Sequence, residues 1–169
     1  LVRGEGIRVR GLSIVEPNRS GAQEELLFID ELFVHCGTDP RDLMHAKLQV
    51  AKLTLRKPIL RMSRRPDGSW SAGKLLPIPK FGDGTPTGVI ESGTIEVVDP
   101  SGATPSKIVL RDAHARWETA AGDFPPGSRR PLRFQGHLDG DHVRNLAIDA
   151  TFDPGGGAWS LNGSIDSLE

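Results

Sequence analysis

Cysteine is nearly missing from this 169-residue chain, tyrosine is missing altogether, and aromatic residues make up only 5%. The lone Cys36 has no internal partner, so no disulfide framework supports the fold. Long apolar runs are missing too. The longest unbroken aliphatic or aromatic stretch, Leu26 to Ile29, falls far short of the about 20 residues a membrane-spanning helix needs. Nor does one sign of charge dominate: 21 Lys and Arg stand against 22 Asp and Glu, for a net charge of −1. That balance removes the positive field with which nucleic-acid binders collect phosphates, and no nucleic-acid partner is expected. The chain opens on Leu1, with no basic-then-apolar leader, and is read as a single segment, residues 1–169, cut from a longer protein.

Turn formers are plentiful instead. Twenty Gly and 13 Pro accompany a hydrophobic share of 37%, which describes one folded domain with many turns and a thin core. Period-two alternation dominates. Ile7-Arg8-Val9-Arg10 and Leu12-Ser13-Ile14 form a strand, with Gly11 where a bulge would sit. Further strands are expected at Leu26 to Cys36, His45 to Ser63, Val89 to Asp99, Lys107 to Glu118, Leu132 to Asp139, Val143 to Asp153 and Ala158 to Leu168. Within His45 to Ser63, Leu48 and Val50 lie on one parity and Leu53 and Leu55 on the other, which calls for a bulge near Ala51-Lys52 or a crossing between strands. Turns at Pro66-Asp67-Gly68, Asp99 to Gly102, Asp139-Gly140-Asp141 and Asp153 to Gly157 separate the strands. Short connections force antiparallel neighbours. The expected fold is all-β, an antiparallel meander of about eight strands curved into a groove or half-barrel, with one short helix at Asp39 to Met44 and an extended loop from Gly73 to Gly88.

The order of these cues resembles a known family. The strand Ile7 to Ile14, the strand Leu27 to Val34, the turn Asp39 to Met44 and the long strand Leu48 to Met62 lead into Arg64-Arg65-Pro66-Asp67-Gly68-Ser69-Trp70. This is similar to the amino-terminal region of the AsmA family of bacterial envelope proteins. Ile90 to Asp99 looks like that family's Gly-x-Ile-x-Val-x-Asp strand, and Leu132 to Leu138 like its Pro-x-x-x-x-Gly strand. The family's transmembrane helix and later repeats are not among these residues. The resemblance implies a repeating β-groove related to chorein-type lipid-transfer proteins. It further implies a non-enzymatic lipid-binding role in phospholipid transport or outer-membrane maintenance, without cofactor or metal. The place implied is the periplasm, with an inner-membrane tether outside this segment, phospholipid acyl chains as ligand and other envelope proteins as possible partners.

A sheet apolar on one face must bury that face against a second sheet, another copy or a ligand. The residues expected to face acyl chains are Ile7, Val9, Leu48, Val50, Ile95, Val97, Ile108, Leu110, Leu132, Phe134, Ile148, Phe152, Trp159 and Leu161. The same residues would form the core of a closed sandwich, an interaction domain of the envelope, and alternation alone does not separate the two.

Other constellations each have a simpler reading beside the chemical one. His137 to His142 holds two His and two Asp around a turn, the basis of a metal-site rival or of a plain solvated hairpin. Cys36 with His45 lacks any nucleophile signature and is expected to be structural. Asp112 and His114 share a face as an acid/base pair or a polar stripe, the stripe being the simpler reading. Gly155-Gly156-Gly157 precedes a strand rather than a helix and so forms a hairpin loop, not a phosphate cradle. Arg61, Arg64 and Arg65 beside Trp70 would touch anionic headgroups or guard an edge strand.

Overall fold

The computed structural model describes residues 6–16, 25–37, 49–75, 85–100, 106–120, 130–141, 143–152 and 159–168. Within them run β1 (Gly6–Val15), β2 (Glu25–Cys36), β3 (Val50–Ser63), β4 (Thr87–Asp99), β5 (Ser106–Thr119), β6 (Leu132–Gly140), β7 (Val143–Phe152) and β8 (Trp159–Leu168). All eight join one sheet whose spatial order is their sequence order, and the sheet is not closed into a barrel. The expected all-β architecture therefore holds.

One pairing departs from the expected meander. β3 and β4 run parallel, while every other neighbouring pair is antiparallel. A parallel return needs a long crossover, and Arg64 to Pro86 supplies it. The described part of that crossover pairs Arg64 with Trp70 and then forms a 3-10 turn, Ser71–Leu75, against β2 and β3. Ser71 anchors it: its buried hydroxyl accepts a 2.9 Å hydrogen bond from the Ser63 N–H. The short helix expected at Asp39 to Met44 lies outside the described residues, as do Leu48, His45, His142 and Gly155 to Gly157.

Five strands contain a residue in the left-handed region: Gly11 (φ 64°) in β1, Lys57 (47°) in β3, Ser92 (53°) in β4, Asp112 (50°) in β5 and Asn145 (49°) in β7. They fall on one line across the sheet. Gly11 lies between the pairs Arg10↔Glu31 and Leu12↔Ile29, and Lys57 between Glu31↔Arg56 and Ile29↔Pro58. Lys57 and Ser92 in turn lie between Arg56↔Glu91 and Ile59↔Thr94. Register is kept on both sides of this line from β1 to β4: β1, β3 and β4 carry a left-handed residue there, and β2 passes it at Asp30 without one.

A left-handed residue turns the strand over, so the parity of the apolar positions inverts there. In β3, Leu53 and Leu55 are followed by Pro58, Leu60 and Met62; in β4, Gly88 and Ile90 are followed by Gly93, Ile95 and Val97. The inversion keeps one face apolar along the whole strand. Pro58, which offers no N–H, sits where the β3–β4 ladder skips a pair, so a proline is tolerated inside a central strand.

The opposite face carries charge ladders interspersed with apolar side chains such as Phe28, Phe33 and Ile59. Glu31 accepts from Arg10 at 3.2 Å and from Arg56 at 2.9 Å, and Arg56 also donates to Glu91 at 2.9 Å. A second ladder runs from Ser13 to Glu25, Arg61, Glu96 and Lys107, the Ser13 hydroxyl donating to Glu25 at 2.7 Å. Each strand touches only its neighbours in order, apart from β2 and β3 against the 3-10 turn. Among the described residues no second layer covers the apolar face.

Candidate functional site

Ladder pairing joins the apolar positions into rows that cross the sheet. One row reads Ile7, Val34, Leu53, Gly88, Trp117, Phe134, Ala150 and Leu161; the next reads Val9, Leu32, Leu55, Ile90, Ala115, Gly136, Ile148 and Gly163. Beyond the left-handed line, Ile14, Leu27, Leu60, Ile95 and Leu110 form a third row, and Met62, Val97 and Ile108 a fourth. Leu132 pairs with Phe152 and Phe152 with Trp159 at the end of the sheet. Val50 packs with Cys36 and Leu53. The register thus collects on one face the described members of the set expected from sequence; Leu48 and the side chain of Trp159 lie outside what is described.

Sequence reasoning missed much of this face: Leu12, Ile14, Leu32, Val34, Leu60, Ile90, Trp117 and Leu138 also belong to it. The usable signal was the parity change between the two apolar runs of each strand.

Burial shows the shape of the face. Ile29 (3% exposed), Ala113 (8%) and Leu138 (6%) are buried beside the left-handed line, whereas Ile108 (55%), Leu161 (54%) and Ile165 (49%) at the margins are open. Side chains on a single sheet become this inaccessible only where neighbours on the same face rise around them. Cys36 (5%), Val50 (8%) and Leu132 (6%), at strand ends, are as buried, so the face is sheltered along the line and at those ends and is open at Ile108 and along β8.

Trp117 forms part of one wall. Its ring lies over Gly88, where an added Cβ would stand 1.9 Å from the ring, and it stacks on Phe134 at 6.4 Å between centroids. Its indole N–H donates to the Pro86 carbonyl at 3.0 Å, so the ring's one polar group is satisfied.

The other constellations resolve differently. Cys36 is buried beside Val50 and Leu53, a packing position. His114 meets Asp112 at 3.0 Å and stacks on His137 at 5.2 Å, all on the polar face. No group of three metal-ligating side chains converges among the described residues. Arg61 is engaged by Glu25 and Glu96, Arg64 by Asp99 at 3.2 Å and Arg65 by Glu16 at 2.7 Å. That cluster is internally neutralised, and β3 is a central strand rather than a guarded edge. A shallow cavity of about 190 Å³ lies by the 3-10 turn, lined by Arg61, Met62, Ser71, Glu96, Val98 and Lys107.

Electrostatics are concentrated on that polar face. Desolvation pushes the Glu31 carboxyl up, but the Arg10 hydrogen bond and the charges of Arg8 and Arg56 outweigh it and hold it below the ordinary carboxylate value. Hydrogen bonds from Arg133 and then Gln135 hold Asp149 down likewise. A carboxyl depressed in the folded state binds fewer protons than it does unfolded. Its stabilisation is complete above the unfolded value of about 4 and is lost as pH falls through the lower folded value. Thermal melts in an acidic pH series are expected to show the melting temperature falling below about pH 4, with a flatter profile for the Glu31→Gln, Asp149→Asn double variant. Equal slopes in the two proteins would assign acid sensitivity elsewhere.

No protein-family model matches the chain, and no curated protein matches it.

Proposed function

We propose that the chain binds lipid by its acyl chains along the apolar groove, as a non-enzymatic segment of an AsmA-like, lipid-handling envelope protein on the periplasmic side of an inner-membrane tether. One observation carries the reading. Left-handed residues in five of the eight strands, four of them not glycine, fall where the apolar positions change parity, and no layer covers the resulting face among the described residues. Strained backbone that preserves an uncovered apolar surface is what an acyl-binding groove requires and what an ordinary sheet avoids. Burial of such side chains against alkyl chains returns about 25 cal/mol per Å² without any reaction chemistry. A β-domain that docks a protein partner is the rival, favoured by β8, whose exposed edge carries no Lys, Arg or Pro.

Purification without detergent, followed by solvent extraction and mass spectrometry, tests the reading. Near-stoichiometric phospholipid is expected. Phe134→Asp sets a carboxylate against the alkyl chain at a cost of about 3 kcal/mol, roughly a hundredfold in affinity, and most bound lipid should be lost. A lipid-free monomer, or unchanged loading in a folded Phe134→Asp protein, would favour the rival.

A further inference from the structure

Among the described residues the sheet ends in two open edges, β1 and β8, each paired on one side only. Exposed apolar side chains gather there. Of the seven large hydrophobic side chains exposed in the described residues, Ile7, Ile14 and Val15 belong to β1 and Leu161 and Ile165 to β8. Side chains of an interior strand are sheltered by a strand on either flank, so what the two edges lack is a lateral neighbour.

The edges also match one another. β8 runs in the same direction as β1, so β8 of one copy against β1 of another makes a parallel pair, and the sheet already contains such a pair for comparison. In it, Leu55-Arg56-Lys57-Pro58 of β3 lies beside Ile90-Glu91-Ser92-Gly93 of β4. The two left-handed residues are in step, and Arg56 donates to Glu91 at 2.9 Å just before them. β1 carries the same four-residue pattern as Val9-Arg10-Gly11-Leu12, with Gly11 left-handed. β8 carries it as Ile165-Asp166-Ser167-Leu168, whose first and last positions pair with Leu146 and Val143 on either side of left-handed Asn145.

One parallel register sets these patterns side by side: Val9 beside Ile165, Arg10 beside Asp166 and position 12 beside position 168. It places a guanidinium against a carboxylate where β3 and β4 have Arg56 and Glu91. Charge favours the match. Arg8, Arg10 and Arg56 share only two carboxylates, Glu31 and Glu91, so positive charge is in excess at the β1 edge. Asp166 is the one charged residue of β8. A slip of one residue would turn Arg10 onto the side of the apolar rows, and a slip of two would leave the patterns out of step. Like edges match less well, since β1 on β1 brings arginines together and β8 on β8 offers no opposite charge.

We infer that β8 is a docking edge for β1 of a second copy of this chain, joined in parallel in this register, with Arg10 and Asp166 as the pair that fixes it. Backbone N–H and C=O groups of the two edges supply the hydrogen bonds, as in strand addition generally. The contact is independent of what occupies the apolar face.

Sedimentation velocity of the full chain, from micromolar to submillimolar concentration, tests it. The wild-type chain should associate as concentration rises. Arg10→Glu and Asp166→Lys each set like charges at the junction, and each variant alone should associate about tenfold more weakly. An equimolar mixture of the two should regain wild-type association, because every junction between unlike copies again pairs opposite charges. Where circular dichroism shows that either variant fails to fold, Arg10→Gln and Asp166→Asn replace them, each with about threefold weaker association expected.

A wild-type chain that stays monomeric overturns the inference. So does a closed dimer indifferent to these substitutions, which would place the contact on the apolar face instead. Folded variants that associate as the wild type does, or a charge-reversed mixture no stronger than its components, overturn the register and its charge pair.

Discussion

Gly88→Ala is expected to destabilise the protein by about 3 kcal/mol, at the upper end of overpacking effects. A methyl group at residue 88 would occupy the position of the Trp117 ring, 1.9 to 2.2 Å from three of its atoms. The ring cannot yield without leaving the Pro86 carbonyl and the face of Phe134, and the lost hydrogen bond alone is worth about 1 kcal/mol. The urea midpoint should fall, and indole fluorescence should shift to the red in the folded baseline as the ring meets water. Gly37→Ala, where an added methyl meets nothing within 4 Å, should stay within about 0.5 kcal/mol of the parent. Similar midpoints for the two variants would show that Trp117 has another place to go.

Ser92 carries the second large effect. At φ 53° in a central strand, its backbone is costly for any side chain and most costly for a β-branched one. Ser92→Ile should lose about 2 kcal/mol, in the range of a strained backbone position. Ser92→Gly should come out near neutral, because relief of strain is offset by the extra freedom of the unfolded chain. Denaturant midpoints of the pair separate backbone strain from side-chain contact. An Ile variant as stable as the Gly variant would mean that β4 had returned to plain alternation, turning Gly93, Ile95 and Val97 towards the polar face.

These two residues also mark where the sequence was legible and where it was not. Strands appear close to where alternation places them, since a half-buried strand writes its period directly into the chain. Even the parity break near Ala51 is found: His35 pairs with Lys52 and Cys36 with Val50, so Ala51 is skipped. The second break, at Lys57, is silent because lysine is no marker of left-handed backbone, and neither is serine at Ser92. Asp112 and Asn145 belong to the types that tolerate that conformation, but in an alternating strand they pass for solvent-facing partners. The parallel pairing of β3 and β4 was foreshadowed only by the length of the intervening loop. The wall made by Trp117 depends on Gly88, far away in the chain, and no local pattern announces it. Part of the apolar face was thus readable from alternation, whereas the row beside the left-handed line, which depends on backbone angles, was not.

The single parallel pairing decides how the molecule can be tiled. With one parallel step among otherwise alternating neighbours, β1 and β8 point the same way. Two copies meeting through like edges must then be related by a two-fold axis, which closes the assembly at a pair. Copies meeting β8 to β1 add strands in parallel, and each presents the same free edge as the one before, so that sense of growth has no geometric end. Arg8 and Arg10 stand at one edge while β8 carries only Asp166 as a charge, so the sheet has a polarity, with a basic end and a nearly uncharged one.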